Sequence, residues 1–509
     1  MNSPSISVAE AAFDSALARL HSLEQAEPKS APPLSLESFE TITANDGKPQ
    51  DARNIYLRAP SKVVSPIMPL TTTPTLREAI VLLRSGNLTT RELLESSLSA
   101  MSETADLGTI VAIDEEAARK AADLMDLERA SGGPAGALDG IPITVKDVID
   151  VAYLPTRAGS KAYYDLPVRD ASSVERLRAA GALIFAKAAT HEFALGVTTP
   201  QCRNPYDSTR ISGGSSGGSA IAVATGVGLA SLGTDTRASL RVPSSLCGVV
   251  GYKPTFGIVP TDGIVPLSWT IDHIGPITRT VADTAIMLNV LAGREVLSGF
   301  DSSDRLDGVK VGVVAATLSE ADPEIAAATQ AALAELIDLG ARLYEVKRPS
   351  SEDFDIANDI GLLISRSEAT TFHRSNGTNL DLCIPEVRDQ LAAALKITAP
   401  DYLDAQRQRN ILAARLLAAF EQCDILVMPT VPVATPPWLD YEKHLLSLSR
   451  NAIPWSLIGS PAVSLPCGAT SEGMPIGIQL VAGPGRDARL LRTGIALEEA
   501  IAKRVKGAN

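Results

Sequence analysis

Short apolar runs recur along this chain and alternate with segments of helical periodicity, and that alternation restricts the fold more than any other feature. The runs fall at 110–113, 141–145, 183–186, 309–314, 343–346, 425–428, 462–465 and 476–481. Helical patterns fill many of the gaps, at 115–129, 280–291, 323–339, 402–420 and 488–502. A strand with one wet face alternates polar and apolar residues, whereas uninterrupted short runs mark strands covered on both faces. The reading is an α/β protein with a largely buried sheet. At 509 residues the chain has ample core to fold without staples. No internal repeat is visible.

The N-terminal part breaks this pattern. Residues 8–25 predict one amphipathic helix, with Ala12, Phe13, Leu17, Leu20 and Leu23 at helical spacing. A Pro/Ser-rich stretch from 28 to about 74 follows, with little periodicity. Residues 1–74 are therefore assigned as a helix and an irregular arm, and 75–505 as the main domain. The helix is a candidate homodimer contact, and packing onto its own domain is the other option. At Thr75 the pattern sharpens. Thr75 and Glu78 have capping-box spacing, Thr89 and Glu92 repeat it, and Gly86 ends the first helix.

Composition narrows the function. A formal charge of −13 argues against a phosphate-backbone binder, so no nucleic-acid partner is expected. No signal peptide and no run long enough to span a membrane is visible, so the expectation is a cytoplasmic protein without a membrane partner. Five scattered cysteines without a CxxC read as buried reduced thiols. With five histidines and no HExxH, no metal or other cofactor is implied.

The most unusual segment is 211–220, ISGGSSGGSA. A flexible linker fits poorly, because Ile221, Val223, Val227, Leu229 and Leu232 follow at once. A phosphate loop lacks its GK[ST] lysine. Residues 213–217 match the GxSxG elbow of serine hydrolases, but polar, turn-like residues 204–210 stand where a buried strand is needed. His273, His373 and His444 sit in no telling context either. A lysine can activate a serine instead, if burial keeps its amine neutral. Lys146 closes the apolar run 141–145 and would be poorly solvated there. On spacing alone, a strand-end lysine paired with Asp147 or reaching solvent stays open as the alternative. In 232–243 (LGTDTRASLRVP) a tight polar turn leads toward a helix start, where backbone N–H groups could hold a developing oxyanion.

Together these segments resemble the amidase signature family. Residues 140–147 resemble its lysine motif, and 213–219 its Gly/Ser-rich motif. Residues 233–241, GTDTRASLR, are similar to its nucleophile motif GTDTGGSIR. Residues 247–255, 272–276, 459–468 and 473–479 also look like family sequence, and the resemblance spans about 75–502. It implies a mixed central sheet with helices on both faces. It also implies a Ser–cisSer–Lys triad: Ser239 as nucleophile, Ser215 as bridge after a cis Gly214–Ser215 peptide, and Lys146 as general base. The N–H groups of Thr236, Arg237, Ala238 and Ser239 would form the oxyanion hole. Asp235 and Arg241 would pair in support, and Ser216 is the neighbour most easily confused with the bridging serine.

The implied activity is hydrolysis of the C–N bond of linear amides, with carbamates and esters as further candidates and a small-molecule amide as partner. Two other readings are an amidotransferase A-type subunit releasing ammonia from glutamine, and a weak or binding-only protein. The last arises because Arg237-Ala238 replaces the usual Gly-Gly. Were positive φ required there, the strain would be ~1 kcal/mol or more. Arg237 would either bind a substrate carboxylate or carbonyl, or obstruct the site. Trp269, Ile271, Trp455 and Ile458 are candidates for an acyl or aryl pocket, although core packing is the more frequent fate of such residues.

Overall fold

The computed structural model describes residues 8–26, 65–133, 135–299 and 305–507. Eleven strands form one sheet. They are β1 Ile110–Ile113, β2 Pro142–Lys146, β3 Leu183–Ala188, β4 Ala230–Asp235, β5 Val250–Lys253, β6 His273–Thr278, β7 Lys310–Val314, β8 Arg342–Val346, β9 Ile425–Pro429, β10 Ala462–Ala469 and β11 Pro475–Ala482. The order across the sheet is β1-β3-β2-β4-β6-β5-β10-β11-β9-β7-β8. β2 runs parallel to both β3 and β4, and β7 runs parallel to β8 and β9. The strands between these two blocks pair antiparallel. The sheet is therefore mixed, as the fold reading anticipated.

Both faces are covered, and the two-residue period of each strand divides its side chains between them. On one face Ile143, Val145, Leu232, Val463, Leu465, Ile478 and Leu480 share a core with the helices Val281–Ala292, Pro323–Asp338 and Asp487–Gly507. On the other, Leu426, Met428, Ala462 and Val481 pack with Phe354, Ile360 and Ile364 of the helix Ser351–Ser375. Thr144 belongs to this second face, where its hydroxyl donates to Ser231 Oγ at 2.8 Å. Lys146, two residues on, points the same way.

All eight strands read from apolar runs are present. The three unread ones are β4, β5 and β6. Gly, Thr, Asp, Lys and His interrupt them, and burial at the sheet centre outweighs that composition. β4 also corrects the reading of 232–243: the chain stays extended through Asp235, turns over 236–240, and enters the helix Arg241–Leu246. Both capping boxes form as predicted.

The predicted N-terminal helix is Val8–Ala26. It docks on the protein's own body: Ala16 and Leu20 are buried with Phe354 and Ile360, and Arg19 pairs with Asp359 at 2.8 Å. Of the arm expected from 28 to about 74, residues 28–64 lie outside the described residues, and 65–74 are irregular, with Ser65 bridging Ala469. Cys202, Cys247, Cys383, Cys423 and Cys467 are all free and buried. Among the described residues no helix is long and apolar enough to cross a membrane.

Candidate active site

β2 and β4 are parallel neighbours, so their C-terminal ends lie side by side. Register pairs Val145 with Leu232. Lys146 therefore arrives beside the last turn-ward residues of β4. Its Nζ lies 2.7 Å from Thr234 Oγ1 and 2.8 Å from Ser215 Oγ, and the side chain is fully buried. Burial drives its pKa down to about 7, against the pull of the Asp235 and Asp272 carboxylates, which favour the ammonium. Asp147, the sequence neighbour that could have neutralised it, instead faces Lys187 at 3.4 Å.

Ser215 reaches Lys146 from the Gly/Ser-rich loop. The Gly214–Ser215 peptide is cis, and Gly213 takes φ +75°. A Cβ on Gly214 would stand 1.9 Å from the Thr198 carbonyl oxygen, so only glycine fits. Thr199 ties the loop from outside. Its hydroxyl lies 3.1 Å from the Gly213 carbonyl and accepts from Gly217 N–H at 3.0 Å. The Ser215 carbonyl accepts from His191 N–H at 3.1 Å. Ser216 faces away from Lys146, its hydroxyl donating to the Thr234 carbonyl at 3.1 Å. The helix Gly217–Thr225 then begins and buries Ser219.

The turn after β4 carries Ser239. Ser216 N–H donates to the Ser239 carbonyl at 3.3 Å, which brings this turn against the Gly/Ser loop. Asp235 sets the turn's shape by accepting from Leu240 N–H at 3.2 Å. Arg241 clamps Asp235 with two bonds, 2.9 and 3.0 Å long, and both residues are fully buried. Burial opposes the Asp235 charge, but Arg241 overrides it and holds the carboxyl down at about 2. The rest of the guanidinium donates to the Ala452 carbonyl, Gln479 Oε1 and Ser456 Oγ, each at 2.8 Å. This is a buried, fully bonded pair rather than a surface contact.

Arg237 and Ala238 are not among the residues with positive φ, so neither strains the turn. Arg237 swings to the helix Ser351–Ser375, where Nη2 donates to Asn358 Oδ1 at 2.6 Å. It lines a cleft of about 570 Å³ with Leu195, Val197, Leu362 and Arg366. The aromatic set proposed for this pocket goes elsewhere. Trp455 and Ile271 are fully buried core residues, and Trp269 lines a separate cleft of about 440 Å³ beside Tyr402.

A family model described as Amidase matches residues 92–491. The chain belongs to the amidase signature family. An amidase from Pseudomonas putida is 36% identical over 456 residues, covering 84% of this chain and 96% of that one. The A subunit of glutamyl-tRNA(Gln) amidotransferase from Chloroflexus aurantiacus is 34% identical over 470 residues, covering 83% and 96%. A solved structure titled as the crystal structure of amidase superposes with a TM-score of 0.77 at 38% identity, covering 84% of this chain and 99% of that one.

Within this family member, four partners of the site carried no assignment from sequence. Thr234 bonds Lys146 and lies on β4, a strand that composition hid. Asp272 accepts from Thr236 Oγ1 at 2.5 Å and from the N–H groups of Leu267 and Ser268 at 3.0 and 2.9 Å. Burial pushes it up to about 6. Lys253 and His273 meet at 3.2 Å behind Asp235, whose carbonyl lies 3.2 Å from His273 Nδ1. That contact places His273 behind the site rather than beside a serine hydroxyl. Among the described residues no cluster of three His, Cys, Asp or Glu could hold a metal ion.

Proposed function

We propose that this protein is a serine amidohydrolase that cleaves the C–N bond of linear amides through an acyl-enzyme on Ser239. The carrying observation is Lys146: a fully buried amine, brought down to about 7, within 2.8 Å of Ser215 Oγ. Near neutral pH much of it is an uncharged base. Ser215 passes its proton to Lys146 and takes the proton of Ser239, whose oxygen attacks the amide carbonyl. The negative charge forming on the carbonyl oxygen sits against the N–H groups of Thr236, Arg237, Ala238 and Ser239. The proton returns through Ser215 to the leaving nitrogen, the C–N bond breaks, and the free amine departs. Water repeats the sequence on the ester and releases the acid. Asp235 and Arg241 hold the turn on which the nucleophile and these N–H groups lie.

The Arg237-Ala238 substitution supports an active rather than an obstructed site. The backbone is unstrained, and the Arg237 side chain is drawn to Asn358 at the cleft wall. The similarity to A-type amidotransferase chains supports a second reading, ammonia release from glutamine for a partner protein. Amine and ammonia release from an anilide, an aliphatic amide, an aryl carbamate, an aryl ester and glutamine separates the two. Hydrolysis of the anilide by the isolated chain, lost in Ser239→Ala, is the expected result. Turnover of glutamine alone would favour the amidotransferase reading. Undiminished hydrolysis in Ser239→Ala would overturn the assignment of the nucleophile.

A further inference from the structure

The cleft lined by Arg237, two residues before Ser239 in the same turn, contains two guanidinium groups that the proposed chemistry does not use. Arg237 is half-buried and Arg366 is 6% exposed. Among the described residues neither is paired with a carboxylate, and the Nε of each is buried without a hydrogen-bond partner. The remaining contacts of Arg366 are long: 3.4 Å to the Leu195 carbonyl and 3.5 Å to Ser365 Oγ. Burial pushes both groups below their usual range and Arg237 adds to the effect on Arg366, while the carboxylates of Asp359 (toward Arg237) and Glu386 (toward Arg366), beyond ion-pair distance, pull the other way. A desolvated cation with no carboxylate in direct contact is costly, and a bound anion that accepts from it removes much of that cost.

Three acids line the same cleft, Glu386, Asp389 and Glu442, and the first two have partners of their own. Glu386 lies 3.5 Å from His191 Nε2 and accepts from Gln390 at 3.2 Å, and Asp389 meets Arg388 at 3.3 Å. Asn358, Leu362 and Arg366 follow at i, i+4 and i+8 on the helix Ser351–Ser375, so one stripe of that helix forms the wall. Asn358 steadies Arg237, Leu362 offers apolar surface, and Arg366 supplies a second fork. Leu195, Val197 and Leu445 supply the apolar remainder.

We propose that Arg237 and Arg366 form a carboxylate-binding wall, and that the substrates are amides carrying a carboxylate on an apolar spacer. The proposal rests on the amidohydrolase reading for its catalytic consequence and on the cleft alone for its binding consequence. Two carboxylate probes are compared with neutral butyranilide: glutaric acid monoanilide, with the charge on the acyl side, and 4-(butanoylamino)benzoic acid, with the charge on the ring.

Binding to Ser239→Ala is measured by calorimetry, and kcat/KM with the wild type. At least one carboxylate probe should bind at least tenfold more tightly than butyranilide. Arg366→Gln should cut that preference about tenfold or more, and Arg366→Lys, which keeps the charge but not the fork, should restore part of it. A binding preference without hydrolysis of any probe would support the wall and count against the amidohydrolase reading. Equal binding of all three probes, or a preference untouched in a folded Arg366→Gln variant, would overturn the wall whatever the hydrolysis shows.

Discussion

Replacing Asp272 by asparagine should move the acid limb of the pH–rate profile to lower pH. The proposed base is the neutral amine of Lys146, so kcat/KM rises with pH through about 7 and levels above it. At pH 7.5 an amine with that pKa is about three-quarters neutral, whereas a lysine at the ordinary 10.5 would be neutral about once in a thousand molecules. Burial is thus responsible for a factor approaching a thousand in available base. The Asp272 carboxylate works against burial, because a nearby negative charge favours the ammonium. Asparagine removes the charge and little else. Its Oδ1 can keep the N–H groups of Leu267 and Ser268, and its amide can donate to the Thr236 hydroxyl. With less opposition to burial, the amine loses its proton more readily and the limb shifts down.

Asp272 itself titrates at about 6, so the wild-type limb belongs to a coupled pair and should narrow toward one group in the variant. The assay is kcat/KM for an anilide from pH 5.5 to 9, with folding checked at each pH. A wild-type profile that is flat from 6 to 9 would refute the lysine assignment. A limb that stays put or moves up in Asp272→Asn would refute the electrostatic argument.

Two further perturbations test the scaffold. Arg241→Met leaves the Asp235 carboxylate buried without its counter-charge, so a loss of about 3–5 kcal/mol is expected in urea denaturation. Adding Asp235→Asn to that variant should return part of the loss, and a single variant as stable as wild type would contradict the buried-pair account. Gly214→Ala drives a methyl into the Thr198 carbonyl, so hydrolysis should fall more than a hundredfold with lower soluble yield. Wild-type kcat/KM in that variant would show that the loop yields more easily than its packing indicates.

The sheet was readable where its strands are made of aliphatic residues and hidden where they carry the site. β9 and β11 announce themselves through Ile, Leu and Val. β4 ends in Gly233-Thr-Asp235, and β6 begins at His273, because the central strands supply polar groups to the catalytic face. The residues that make the site unusual are the ones that blur the strand signal. The proposed triad of Lys146, Ser215 and Ser239 was read from the ordered family motifs, and no spacing rule alone would have joined positions so far apart. Thr234 and Asp272 lay inside recognised segments, but their roles depend on which strand neighbours which. Arg366 lay outside every motif; its helical spacing from Asn358 was visible, yet only the folded chain shows that this stripe faces Arg237. Core packing, the commoner fate of large apolar side chains, is what Trp455 and Ile271 adopt. Trp455 finds its hydrogen bond at the Asn451 carbonyl, 2.9 Å away, and so can be buried completely in the core.

The position of Lys146 follows from a conflict between solvation and reach. A lysine must be dry for its amine to be neutral near pH 7, yet it must touch a group that contacts substrate. The end of a central parallel strand meets both demands. β3 and β4 flank β2 and exclude water from the sides, while the chain beyond the strand ends is free to turn toward ligand. In the proposed mechanism the Gly/Ser loop is needed because Lys146, fully buried, is too deep to meet the substrate itself. Ser215 spans that depth, and the two residues before it must be glycine because the loop passes within contact distance of Thr198 and Pro243. The acids are placed with matching restraint. Asp235 spends its charge on Arg241, and much of the Asp272 charge goes to the Thr236 hydroxyl and the N–H groups of Leu267 and Ser268, so neither pins Lys146 as an ammonium. An acid paired directly with Lys146 would stabilise the fold more and leave the serines without a base.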